Sequence, residues 1–128
     1  VPINDVQVQD GLLTVRRADE GAQVRLALHG ELDLSNVPTL EMTLDGAIAS
    51  GKKVLIDLDR LEFLDSTGLA LIVHTLARND AERFSFVPSR SNGVRRVLSL
   101  TGLDERMVVS SGDVPLPSFR QPGSPVNP

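Results

Sequence analysis

Apolar and polar residues alternate through QVRLALHG, residues 23–30: Val24, Leu26 and Leu28 fall on one side, Arg25, Ala27 and His29 on the other. This is the period of a half-buried strand. LLTVRR (12–17) alternates in the same way, and the ADEG between the two reads as a turn, which predicts an antiparallel hairpin. Residues 1–10 show no firm pattern. Beyond the hairpin the period changes. Val37, Leu40, Leu44 and Ile48 recur at helical spacing and predict a helix from about 37 to 50. Ser35 or Asn36 serves as its cap, Pro38 suits its first turn and Gly51 its stop. KVLIDL (53–58) is a near-continuous apolar run, the pattern of a strand covered on both faces. A helix over 67–78 follows, with Leu69, Leu71, Ile72, Val73 and Leu76 nearly all round it, so it is expected to be largely buried. RFSFVP (83–88) reads as a strand. Ser91 then caps a short helix carrying Val94, Val97 and Leu98 and closed by Gly102, and RMVV (106–109) reads as a last strand.

The predicted order is β-β-α-β-α-β-α-β. It describes an α/β fold with a mixed sheet: an N-terminal antiparallel hairpin, then right-handed parallel crossovers with helices packed on the sheet. One domain is expected over 11–110. Residues 111–128 are rich in Pro, Ser and Gly, have no periodicity, and read as a flexible tail.

Composition narrows the function classes. With four Phe and neither Trp nor Tyr, the core must be aliphatic and no aromatic platform is available for stacking single-stranded bases. A net charge of −4 argues against a nucleic-acid groove. The absence of cysteine removes disulfides and thiolate metal sites and fits a reducing compartment. No apolar run reaches the ~20 residues of a membrane span, and no signal peptide is visible. A cytoplasmic protein is expected, with no metal and no cofactor.

Three stretches invite chemistry. GAIASGKK (46–53) satisfies most of GxxxxGK, but it ends a helix and leads into a strand, the reverse of a phosphate loop, and Lys53 stands where Ser or Thr should be. It reads as a helix C-terminus with lysines at its negative end. A triad of Ser66, His29 and Asp33 can be drawn, yet the G-x-S-x-G elbow is absent and His74 lies about 12 Å along the helix from Ser66. The two histidines also lack metal-ligand spacing. The third stretch is LDSTGL, 64–69. Asp65 or Ser66 can cap the helix that starts here, and Gly68 lets its first turn pack closely. The end of a parallel strand before a helix N-terminus is also where α/β folds place sites, and a phosphate on Ser66 would be tolerated there. Spacing alone leaves cap and phosphate acceptor both open.

GELDLSNVPTLEMTL, KVLIDLDRLEFLDSTGLALIV and VRRVLSLTGLDERMVV resemble, in order and spacing, three blocks of the bacterial anti-sigma factor antagonist family, the STAS domain fold. The resemblance implies a regulatory protein rather than an enzyme. In its unphosphorylated form it would bind an anti-sigma factor of the serine/threonine kinase type and free the sigma factor for transcription. It implies that the kinase phosphorylates Ser66, with Thr67 as the alternative acceptor, and that a PP2C-type phosphatase reverses this. Asp33 matches a residue at the kinase-facing surface, and Asp65, Ser66, Thr67 and Gly68 match the motif beside it. Asp33 and Ser66 are expected to lie together at one edge of the sheet. Many relatives end in a helix after the last strand, where this chain has its Pro-rich segment, so weak homodimerisation is left open. Two other readings remain at this point: a STAS interaction or scaffold module outside the sigma pathway, and a small-ligand or nucleotide-binding domain using the same helix N-terminus.

Overall fold

The computed structural model describes residues 6–103. The expected strand at 106–109 and the segment 111–128 lie outside the described residues. Among the described residues five strands form one sheet: β1 (Val6–Asp10), β2 (Leu13–Glu20), β3 (Gln23–Leu32), β4 (Lys53–Leu64) and β5 (Phe84–Val87), in spatial order β1-β2-β3-β4-β5. β1, β2 and β3 pair antiparallel; β3, β4 and β5 pair parallel. The parallel connections are α1 (Val37–Ala49) and α2 (Ser66–Arg78), and α3 (Asn92–Ser99) follows β5. This is the mixed sheet with an N-terminal hairpin and parallel crossovers that the alternating pattern predicts.

The core lies on one face of the sheet. Leu13, Val15, Val24, Leu26, Leu28, Val54, Ile56, Leu58, Phe84 and Phe86 pack with Leu40, Leu44 and Ala47 of α1, Leu71 and Ile72 of α2, and Val94 and Leu98 of α3. One continuous cluster joins all three helices to the same strand positions, so the helices share a face. The opposite face carries the alternate residues, among them Thr14, Arg16, Arg25, Ala27 and His29.

Four elements differ from the sequence reading. β1 is a strand where no pattern was firm. It pairs Val8 with Val15, but Val6 and Val8 are exposed, because this edge strand runs past the cover of the helices. Its anchor is polar: Thr39 Oγ1 donates to Asp10 Oδ2 at 2.6 Å. β2 runs through Ala18, Asp19 and Glu20, so the turn is Gly21–Ala22 rather than ADEG. Asp19 is held in the strand by Arg17 (2.8 Å) and Lys52 (3.4 Å). β4 extends to Leu64, and its first half is buried throughout from Val54 to Leu58. The α2 helix is amphipathic rather than buried all round. Gly68, Leu71, Ile72 and Thr75 are buried, while Val73 and His74 are exposed, because only one side of the helix meets the sheet.

The GxxxxGK stretch joins the end of α1 to the start of β4. The cation serving that helix end is Arg83, which donates to the carbonyls of Ile48 (3.0 Å) and Lys52 (2.7 Å).

Candidate functional site

The site forms where β3 and β4 end side by side. Leu32 pairs with Leu64, and each strand then turns into a helix. The meeting point is therefore the carboxyl end of two interior strands, not a lateral edge of the sheet.

Asp65 holds the two turns together. Its Oδ1 accepts from the backbone N–H of Thr67 (3.0 Å), that of Gly68 (3.0 Å) and the Thr67 hydroxyl (2.6 Å). Its Oδ2 accepts from the N–H of Leu34 at 3.1 Å, in the other turn. Its own N–H donates to the Leu32 carbonyl (3.2 Å). Asp65 is thus the N-cap of α2 and a staple between the crossovers. The Thr67 hydroxyl holds the Asp65 carboxyl below the ordinary carboxylate value; burial opposes this, and the N–H groups of Gly68, Leu34 and Thr67 add to it. Gly68 is buried: a Cβ there would lie 2.7 Å from Leu32 and 2.8 Å from Leu64 side-chain carbons. Among the residues expected at a partner-facing surface, Gly68 therefore belongs to the packing beneath it.

The two adjacent hydroxyls are placed differently. Thr67 is half-buried and spends its hydroxyl on Asp65. Ser66 is the first residue of α2, is exposed, and its hydroxyl has no hydrogen-bond partner among the described residues.

Asp33 sits in the neighbouring turn. Its Oδ1 accepts from the N–H (3.0 Å) and hydroxyl (2.6 Å) of Ser35, and its carbonyl accepts from the N–H groups of Asn36 and Val37. The Leu34–Asp65 bond brings this turn against the start of α2. Asn36, read from sequence as a possible helix cap, makes no side-chain cap bond. It is buried instead, accepting from the Asp33 N–H (2.9 Å) and donating to the Glu31 carbonyl (3.0 Å). Asn36→Ala strands both groups, and by the usual cost of an unpaired buried polar group the loss should be about 2 kcal/mol, read from urea denaturation midpoints. Sequence reading also passed over Leu34, which is 70% exposed between Asp33 and the Asp65 contact. An apolar residue standing alone in a polar turn was the available signal.

The drawn Ser66–His29–Asp33 triad is not assembled. No two of these residues are hydrogen-bonded to each other, and His29 lies on β3 with its side chain on the face opposite the helices. Among the described residues there is no group of His, Asp or Glu gathered to hold a metal ion, and no helix long and apolar enough to cross a membrane.

Comparison with known proteins places this geometry in context. Residues 15–110 match the family model described as "Mlab, STAS domain". The anti-sigma-B factor antagonist of Staphylococcus aureus is 35% identical over 85 residues, covering 65% of this chain and 79% of that protein. The protein of the same name from Staphylococcus epidermidis is 36% identical over the same length, with the same coverage of each chain. Among solved structures, an anti-sigma factor antagonist from Mycobacterium paratuberculosis superposes with a TM-score of 0.66 at 31% identity, covering 74% of this chain and 82% of its own. The unphosphorylated anti-sigma factor antagonist SpoIIAA has the same fold, with a TM-score of 0.63 at 24% identity, covering 77% of this chain and 89% of its own.

Proposed function

This chain belongs to the STAS domain family, as an anti-sigma factor antagonist, and from that premise we propose that it acts as a partner switch centred on Ser66. The unphosphorylated surface of Asp33, Leu34, Asp65 and Ser66 binds an anti-sigma factor of the serine/threonine kinase type, and the sigma factor is freed. Phosphorylation of Ser66 by that partner ends the binding, and a PP2C-type phosphatase restores it. The nucleotide belongs to the kinase; this chain works in the cytoplasm as a binding protein and not as an enzyme.

The observation that supports this reading most is the division between the two hydroxyls. Thr67 is committed to the Asp65 cap, whereas Ser66 is exposed at the first position of α2. A phosphate on Ser66 stands at the positive end of a helix, where the fold tolerates an anion. It adds about −1.5 to −2 charges beside Asp65 and the Asp33 turn. An interface that fits the neutral hydroxyl must then bury that charge against acids, so repulsion and desolvation act together. Leu34 supplies the apolar contact such an interface needs near its centre.

Capture from a lysate of the native cell tests this. Wild type and Ser66→Ala should both retain a kinase-type anti-sigma factor, and Ser66→Glu should retain at least about tenfold less, a difference of about 1.4 kcal/mol. Equal retention by Ser66→Glu overturns the switch. Retention only of proteins unrelated to sigma control favours the scaffold reading instead.

A further inference from the structure

An aromatic side chain faces solvent shortly before Ser66. Phe63 is 47% exposed, whereas Phe84 and Phe86 are buried in the core. A shift of register puts it there. Gly30 pairs with Leu61 and Glu31 with Phe63, so β4 carries one extra residue, Glu62, at this point. Strict alternation from the buried Leu61 would send Glu62 outward, Phe63 inward and Leu64 outward. Instead Glu62 and Phe63 are both exposed and Leu64 is buried. The bulge thus keeps Leu64 packed against Gly68 and turns Phe63 onto the face opposite the helices. Bulges that re-aim a side chain are common beside functional sites.

Phe63 has an apolar neighbour in the same row. Its ladder partner Glu31 is flanked on the other side by Leu12, whose carbonyl accepts from the Glu31 N–H at 3.0 Å. Leu13, the next residue, is fully buried, so Leu12 falls on the opposite side, where it is 66% exposed. Leu12, Glu31 and Phe63 therefore form one row across the ends of β2, β3 and β4, about 10 Å wide at the usual strand spacing. The row lies at the end of the sheet that carries Ser66. A polar residue at either outward position would have left the core undisturbed. Single exposed apolar residues are ordinary, but two in one row, with Leu34 exposed at the same end, mark a contact surface.

The charge in the row points to the occupant. Asp33 and Asp65 spend their carboxylates within the two turns. The Glu31 carboxylate makes no hydrogen bond or ion pair among the described residues. An unpaired acid between two exposed apolar side chains fits a partner that presents an apolar pocket with a Lys or Arg beside it. A second copy of this chain fits poorly, because a two-fold pairing of this end would set Glu31, Asp33 and Asp65 against the same acids. The function of the chain supplies a partner, the anti-sigma factor. Its proposed surface begins at Asp65, next to the buried Leu64 that follows Phe63.

We propose that Leu12, Glu31 and Phe63 extend the anti-sigma factor's contact from the Ser66 end onto the open face of the sheet, with Phe63 in an apolar pocket of the partner and a Lys or Arg of the partner against Glu31. This rests on the reading that the partner docks at the Ser66 end. The test is capture from a lysate of the native cell, with the retained anti-sigma factor identified and quantified by mass spectrometry. Phe63→Ala should retain at least about tenfold less than wild type, as expected for loss of an aromatic anchor. Phe63→Leu, which keeps apolar bulk, should retain more than Phe63→Ala. Glu31→Lys should retain at least about threefold less than wild type. Leu100→Ala, which truncates an exposed side chain after α3, should retain as much as wild type. Urea midpoints should stay at the wild-type value. If Phe63→Ala and Glu31→Lys hold the anti-sigma factor as well as wild type while Ser66→Glu loses it, this contact is overturned and the Ser66 switch stands. If they lose it while Ser66→Glu holds it, the contact stands and the switch falls. An equal loss in Leu100→Ala, a fallen urea midpoint in Phe63→Ala, or no anti-sigma factor held by wild type would each overturn the contact.

Discussion

Replacing Gly30 with alanine is expected to lower stability by about 4 kcal/mol, the sum of backbone strain and a steric clash of ~2 kcal/mol each. Gly30 has φ +104°, and a Cβ there would stand 1.9 Å from the carbonyl oxygen of Leu12. That oxygen cannot retreat freely, because it accepts from the Glu31 N–H at 3.0 Å. The backbone of β3 turns in at this point, between two shifts of register with β4, and the turn delivers Asp33 to the site. The loss should appear as a lower urea midpoint with little change in slope, and as a fall in Tm of roughly 20 °C for a domain of this size. A Gly30→Ala protein within 1 kcal/mol of wild type would mean that the backbone here adopts another conformation.

The second large effect is at Asp65. Asp65→Ala removes an N-cap, whose loss typically costs about 1 kcal/mol. It also removes a charged acceptor serving the Leu34 N–H across the site, for a further ~2 kcal/mol. A total near 3 kcal/mol is expected, with weaker capture of the anti-sigma partner because the Asp33–Leu34 turn loses its tie to α2. Asp65→Asn keeps an acceptor oxygen and should lose less. The acid limb separates the two contributions. The Asp65 carboxyl is held below its ordinary value, chiefly by the Thr67 hydroxyl. Its contribution is therefore fully present above the unfolded-state pKa and is lost as pH falls through the lower folded-state value. Wild type should lose stability on acidification below about pH 4, and Asp65→Asn should show a shallower decline over the same range.

Much of this was legible in the sequence because the relevant signals are local. Val24, Leu26 and Leu28 announce β3 by alternation. Leu40 and Leu44 announce the buried stripe of α1. Ser91 announces the cap of α3, whose hydroxyl accepts from the Val94 N–H. The alternation of strands and helices was enough to bring the ends of β3 and β4 together, and with them GELD and DSTGL. What escaped depends on neighbours distant along the chain. β1 has only two apolar residues and is a strand because β2 offers it a ladder. The α2 helix carries apolar residues on most sides, and composition cannot say that only one side is covered. Asn36 looked like a cap because Asn caps helices, but its buried amide serves the preceding strand end. The resemblance favoured Ser66 over Thr67 as acceptor, but two adjacent letters do not show how their surroundings differ: the Thr67 hydroxyl reaches the carboxylate that also reaches Leu34, and Ser66 is exposed.

That carboxylate also has a place in the order of folding. The Leu34–Asp65 bond joins residues 31 apart in sequence, across a complete strand–helix–strand unit. It can form only after β3 and β4 have aligned, because loop closure must precede the contact that rewards it. The bond therefore belongs to the native side of the folding barrier. Truncating Asp65 should speed unfolding while leaving the refolding rate nearly unchanged, a low φ-value for a residue at the centre of the site. A chevron plot of Asp65→Ala would show this as a raised unfolding arm over an almost superimposed folding arm.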